Sequence, residues 1–411
     1  MAFLLIAAAK PASADDMPVE ELARSETGRA VLAELESRQE ETGDLLIGIG
    51  SIVSPSGAEH DRAAAAAEAM RQAGLSNVRV TESPNVIGVL PGRSSEKSLI
   101  FVSTLDDLKT VAEHQRAADK PLQRQGERIV GPGSNTSLTT AAMIAAAGAL
   151  VEAGFTPQYD IIFAGVAQEE TGLVGMRALY EDYKDRAAGF VDILGDGETI
   201  SYGALGIHWW RVEASGPPGH TLRGGLPNVN QGIARAVDRI LSLPAASDGP
   251  RVTRLNVAIL DSGSVFNHKP ETGWFSLDIR SLDADRIAAI EQDVDSILAE
   301  VTNETGIEFT REAENIVPGG QIPGALDSPL VRWSASIARA EGLDPELNAA
   351  GSANLNVAIA QGTPAIGLGG DRGGERGHPG EWADISVLHG TARHVALLAL
   401  AMGSGFEPGE D

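Results

Sequence analysis

The stretch "YDIIFAGVAQEETGLVGM" spans Tyr159 to Met176. Its apolar run, Ile161 to Val166, is apolar at successive positions, which marks a strand covered on both faces. Such strands belong to the interior of a mostly parallel sheet. The run ends on two adjacent carboxylates, Glu169 and Glu170, followed by Thr171 and Gly172. Standing alone, the pair reads as a solvated turn, because charged residues sit mostly at surfaces. At the end of a buried parallel strand it also stands where open α/β sheets place their ligands.

Working outward, the same texture recurs on both sides. "SLIFVSTLDD" is apolar and then abruptly acidic at Asp106 and Asp107, and "AGFVDILGDGE" ends on Asp196 between two glycines. "VRVTES" and "VIGVLPG" read as further strands, and residues 18–45 as one or two acidic helices. An Ala-rich helix follows Pro55 and Gly57 and stops at Gly74, and "TTAAMIAAAGALVEAGF" reads as a buried helix. Strands alternating with helices predict an α/β fold, a mostly parallel sheet flanked by helices.

From about Gly206 the pattern changes. "HWWRVEASGPPGHT", "RVTRLNVAIL" and "TGWFSLDIRSL" alternate like half-exposed strands, with amphipathic helices between and after them. This predicts an α+β module over 206–322 inserted into a domain made of 15–205 and 323–411. Trp209 and Trp210 are expected to pack within that module.

The totals exclude several functions. The chain of 411 residues carries a formal charge of −25, which gives nothing to neutralise phosphates or anionic lipid. Neither nucleic acid nor membrane is expected as a partner. There is no cysteine, so a thiol nucleophile, disulfides and thiolate metal sites are all ruled out. The start, "MAFLLIAAAKPASADD", has an apolar core and an Ala12-Ser13-Ala14 step like a secretory signal, over 1–14. It predicts a periplasmic or secreted protein, and otherwise a cytoplasmic one. No later segment is read as long and apolar enough to span a membrane. The loop "GPGSNTS" lacks the lysine of a phosphate-binding loop, and no Gly-x-Ser-x-Gly elbow surrounds Ser103, Ser134 or Ser137.

The order of "STLDD", "GPGSNTS", "AQEETGLVG", "GDGE" and "GGDRGGERGHPGEW" resembles the dinuclear-zinc metallohydrolases that include aminoacylase, glutamate carboxypeptidase, succinyl-diaminopimelate desuccinylase and peptidase T. The resemblance runs from about residue 45 to the last helix and includes "SPSGAEHDRA". It implies hydrolysis of peptide or N-acyl amino-acid amide bonds, zinc as cofactor, and an inserted dimerisation domain. Position by position, it implies Glu169 as general base, Asp106 as the residue orienting the site, and Glu170, Asp196 and His378 as metal ligands. In "GPPGH" it implies that His220 reaches a partner's site in a homodimer and stabilises an oxyanion. In "FNHKP" and "SLDIRS" it implies Asn267 and Arg280 on a substrate carboxylate; Arg280 alone reads as a surface partner of Asp278 or Asp283.

Two positions depart from that pattern. The first metal-ligand histidine falls on Thr104, and the carboxylate that bridges both metals falls on Thr136. A neutral hydroxyl is a poor zinc ligand where His, carboxylate and thiolate dominate. One zinc or none is therefore expected, with activity altered or lost. Asp107, Asn135, Glu198 and His114 are the nearby residues that could stand in. Three readings remain open: a mono-metal amidohydrolase, a non-catalytic relative that binds a small ligand or dimerises, and a hydrolase or lyase of different mechanism.

Overall fold

The computed structural model describes residues 17–244 and 253–404. The signal-like segment, 1–14, lies outside the described residues.

The large sheet has eight strands. Its four central members, Tyr159–Val166, Ser94–Thr104, Ala187–Ile193 and Ala365–Gly369, run parallel to one another. Toward one edge, Val86–Leu90 and Ser76–Val80 add antiparallel. Toward the other, Thr199–Ser201 adds antiparallel and Glu346–Asn348 parallel to it. The sheet is thus mixed at its edges and parallel at its centre. The central strands are the ones covered on both faces. Phe101 and Phe163 stack on one side, with ring centroids 5.5 Å apart, while Ile100 and Ile162 are buried on the other.

One face is covered by Ser134–Glu152, Pro329–Ala340 and Ile385–Gly403 together with the N-terminal helices. The acidic helical stretch expected over 18–45 runs on through "IGIG" to the end of the Gln39–Gly50 helix. Gly50 is where this helix passes close to Leu122 and to the start of the Ser134–Glu152 helix, with the Gly133 carbonyl 3.2 Å from the place a Cβ would take. A Cβ at Gly50 would stand 2.6 Å from Leu122.

By length and composition the Ile385–Gly403 helix could cross a bilayer, contrary to the sequence expectation. Here it is a core helix. Leu388, Val395, Leu397, Leu398 and Leu400 are buried in the packing under the sheet.

A second sheet runs in the order Thr253–Asn256, Thr272–Ser281, Gly206–Ser215, Glu308–Val317, all antiparallel. Helices Val229–Leu241 and Ala284–Thr305 cover one face, over Val212, Phe275, Leu277 and Ile279. Period-two burial along Thr272–Ser281 is what a sheet with one covered face requires. Trp210 packs on the helix side and its indole N–H donates to Glu291 at 2.9 Å. Trp209 does not pack as expected: it lies on the open face, 40% exposed. The pair Gly203–Ala204 and Gly320–Gln321 closes the junction between the two sheets.

Candidate functional site

Three central strands of the large sheet deliver carboxylates to one edge. Ser94–Thr104 leads into Asp106, Tyr159–Val166 into Glu169 and Glu170, and Ala187–Ile193 carries Asp192. The parallel register keeps these strand ends level, with Thr104 opposite Val166.

Asp106 organises the group. Its Oδ1 accepts the Glu169 backbone N–H at 2.8 Å, and its Oδ2 accepts the Glu170 N–H at 3.1 Å and the Ser56 hydroxyl at 2.5 Å. Both oxygens are therefore occupied in holding the turn. Gln168, at the start of that turn, has a φ of 55°, an uncommon value for a residue with a Cβ. Glu59 stabilises it: its carboxylate accepts the Gln168 N–H at 3.0 Å and the Gly57 N–H at 2.8 Å.

Burial dominates the ionisation of these acids. Glu169 is pushed up to about 8, first by burial and then by the charges of Glu170, Asp106 and Asp192. Asp192 is pushed up to about 6 by complete burial, against hydrogen bonds from Asn354 and Leu355. Asp106 and Glu170 are raised as well, again chiefly by burial.

The metal-ligand positions behave otherwise. Thr104 accepts the Asn354 side-chain N–H at 3.2 Å, and Asn354 also donates to Asp192 at 3.3 Å. Thr136 is buried in the first turn of Ser134–Glu152. Glu170 is paired with Arg376 at 3.2 Å. Asp196 closes its own turn, accepting the Glu198 N–H at 3.0 Å, and its carbonyl faces His394 Nδ1 at 3.1 Å. His378 is exposed. Glu170, Asp196 and His378 are not gathered together: among the described residues, no group of three or more His, Asp or Glu side chains is placed to hold a metal ion.

The stand-in ligands fare no better. Asp107 is turned to Arg62, and this pair, 2.6 Å apart, is buried on both sides. Asn135 gives its backbone N–H to Glu381. Glu198 is exposed, and His114 lies in the Lys109–Ala118 helix with no partner for its buried Nδ1.

His220, Asn267 and Arg280 lie on the second sheet and its ribbon. His220 Nε2 is 3.2 Å from the Asn267 amide nitrogen, and the His220 ring stands edge-on to His268 at 5.2 Å. The ribbon Gly219–His220 with His268–Lys269 carries the exposed Leu222 and Phe266 nearby. Arg280 spends its fork on Asp278, with contacts of 3.0 and 3.1 Å, as its sequence neighbours alone suggest.

Sequence reasoning missed five residues that shape the site: Asp192, Asn354, Arg372, Arg376 and Glu381. Asp192 was signalled by being a lone carboxylate inside a buried strand, where an unpartnered charge is costly. Glu381 joins two loops that are far apart in the chain. Its Oε1 accepts the Gly133 and Asn135 N–H groups, both at 3.0 Å, and its Oε2 accepts Gly377 N–H at 3.0 Å. The first two belong to the start of the Ser134–Glu152 helix, where a carboxylate is favoured by unpaired N–H groups and the helix dipole. Replacing Glu381 with alanine should lower unfolding free energy by about 3 kcal/mol, measurable by urea denaturation.

Comparison with known proteins decides the family. The model of Peptidase family M20/M25/M40 matches residues 106–401. The chain belongs to this family. Among solved structures, aminopeptidase PepT from Bacillus cereus ATCC 10987 is similar over 88% of this chain and 98% of its own, with TM-score 0.74 and 19% identity. Bacillus subtilis YXEP protein, described as a dinuclear metal binding peptidase, is similar over 90% of this chain and 99% of its own, with TM-score 0.67 and 12% identity. Human carnosine dipeptidase 1 is similar over 91% and 99%, with TM-score 0.65 and 15% identity. At these identities the likeness is one of fold. No curated protein matches the chain.

Proposed function

We propose that this M20-family chain binds a peptide or an N-acyl amino acid at the sheet edge that carries Glu169 and does not hydrolyse it by two-zinc chemistry. The observation that carries the reading is the fate of the ligand positions. Thr104 and Thr136 bring neutral hydroxyls, and Glu170 is already neutralised by Arg376. A two-metal centre needs a shared anion between its cations and several free donors around them. These residues do not fit one. A mono-metal hydrolase anchored on Glu170 and His378 is disfavoured for the same reason, since His378 is exposed and Glu170 is engaged.

Glu169 remains suited to hold a ligand's amide or ammonium N–H. Pushed up to about 8, it is largely protonated at neutral pH and is then also able to donate to a carbonyl oxygen. His220 and Asn267 are assigned to the same ligand, reached from a second copy of the chain in a homodimer. The exposed Leu222 and Phe266 beside them favour that assembly, because apolar side chains of this size gain from being covered. Zinc has no role in this function.

The test is a screen of dipeptides and N-acyl amino acids, read for released amine and, in parallel, for ligand-induced thermal stabilisation. Stabilisation without amine release is expected. Steady release that Glu169→Gln abolishes would contradict the binding reading.

A further inference from the structure

The parallel strands Ser94–Thr104, Tyr159–Val166 and Ala187–Ile193 bring Asp106, Glu169, Glu170 and Asp192 to one sheet edge, where Asp106 accepts the backbone N–H groups of both glutamates. Such a group is unstable as bare anions unless a cation stands beside it. The cation here comes from the chain. The loop between Ala365–Gly369 and Trp382–Asp384 carries Arg372 and Arg376, and Arg376 Nη2 lies 3.2 Å from Glu170 Oε1. Arg372, in the same loop, is within electrostatic reach of Glu169, Glu170 and Glu381. Burial lowers it to about 10, still a cation at neutral pH.

The loop is built to hold these two groups. Asp371 Oδ1 accepts the N–H of Arg372 at 2.8 Å and of Gly373 at 2.9 Å. Gly374 pairs with Trp382 at the edge of a small four-stranded sheet, and Gly377 is tied to Glu381. Gly373, at φ 129°, lies so close to the Trp382 carbonyl that a Cβ would stand 2.2 Å from its oxygen. A flexible tether would need none of this.

We propose that the guanidinium groups of Arg372 and Arg376 take the place that divalent cations hold in a two-metal member of the fold, making this sheet edge a permanently charged, metal-independent site. The proposal rests on the reading that Thr104 and Thr136 leave no two-metal centre. It goes further by naming what replaces the metal and why zinc is kept out. Arg376 occupies Glu170, the retained glutamate ligand position, and both arginines repel an incoming cation. A guanidinium cannot be deprotonated at physiological pH or removed by a chelator.

The test is a calorimetric titration of zinc chloride into the full chain, with thermal midpoints in zinc and in EDTA. Four proteins are compared: wild type, Arg376→Met, Arg376→Lys, and the double variant Arg372→Met/Arg376→Met. Wild type and Arg376→Lys should show no saturable zinc uptake and no shift with EDTA. Arg376→Met should bind zinc about tenfold or more tightly than wild type, and the double variant more tightly again. That gain should vanish when Glu170→Gln is added, and zinc should raise the variant's midpoint. Wild-type zinc uptake that is lost in Glu170→Gln, or an Arg376→Met protein no better at binding zinc than wild type, would overturn the proposal. Because Arg376 is half-exposed, its single variant is expected to fold and decides the matter if the double one does not. Amide hydrolysis in metal-free buffer would defeat the binding reading while leaving this proposal standing.

Discussion

Arg62→Met should destabilise the protein by about 3–5 kcal/mol, the largest effect expected of any single substitution here. Arg62 and Asp107 are both fully buried, with a 2.6 Å contact between them. The guanidinium also donates to the Leu105 carbonyl at 2.9 Å and the Ile52 carbonyl at 2.5 Å. It therefore ties the Ala-rich His60–Gln72 helix to the turn that carries Asp106. Methionine fills the space but leaves the Asp107 carboxylate buried and unpaired, and an unpaired buried charge is what makes such losses large. The double variant Arg62→Met/Asp107→Leu should recover much of the loss, because it removes both charges. Urea denaturation of the three proteins measures this. A single variant within about 1 kcal/mol of wild type would show that the pair is not holding the turn.

The second large effect is one of pH. Glu169 rises from 4.5 to about 8 on folding, so the folded chain binds its proton more tightly than the unfolded one. Its contribution is fully present below pH 4.5 and is lost as pH rises through 8. Asp192, raised from 3.8 to about 6, acts in the same direction over its own lower window. His394 acts in the opposite direction. Burial lowers it from 6.5 to about 4, so the unfolded chain takes up the proton first and stability rises with pH between those values.

The Asp192 and His394 windows overlap below pH 6.5 and largely offset one another. Above that, Glu169 dominates. Wild type should lose about 2 kcal/mol between pH 6.5 and 8, and Glu169→Gln should flatten that slope. The variant should therefore be more stable than wild type at pH 8 and close to it at pH 5. Thermal or urea unfolding at the two pH values reads the difference. A variant less stable than wild type at pH 8 would mean that Glu169 is stabilised as an anion.

The centre of the fold was legible because its signals are dense. Short continuous apolar runs rich in Ile, Val and Phe, such as Ile161 to Val166, read as strands covered on both faces, and they ended on the acids that the fold does bring together. Period-two patterns along Thr272–Ser281 marked the second sheet equally well. One edge of the large sheet was not legible, because Thr199–Ser201 and Glu346–Asn348 are three-residue strands with no periodicity to detect.

At the site, Asp106, Glu169 and Glu170 could be located from strand ends alone. Arg376 could not. Its partner Glu170 is 206 residues away in sequence, and only the folded loop brings them together. The same holds for Glu381, whose acceptors serve N–H groups at residues 133, 135 and 377.

The most direct measurement is the zinc content of the wild-type chain. It is purified in the presence of zinc, dialysed against metal-free buffer and submitted to elemental analysis. The account predicts far less than one zinc per chain, with an unfolding midpoint unchanged by EDTA. Two zincs per chain, released together with loss of stability, would mean that donors other than Thr104 and Thr136 complete a working dinuclear centre, and would contradict it.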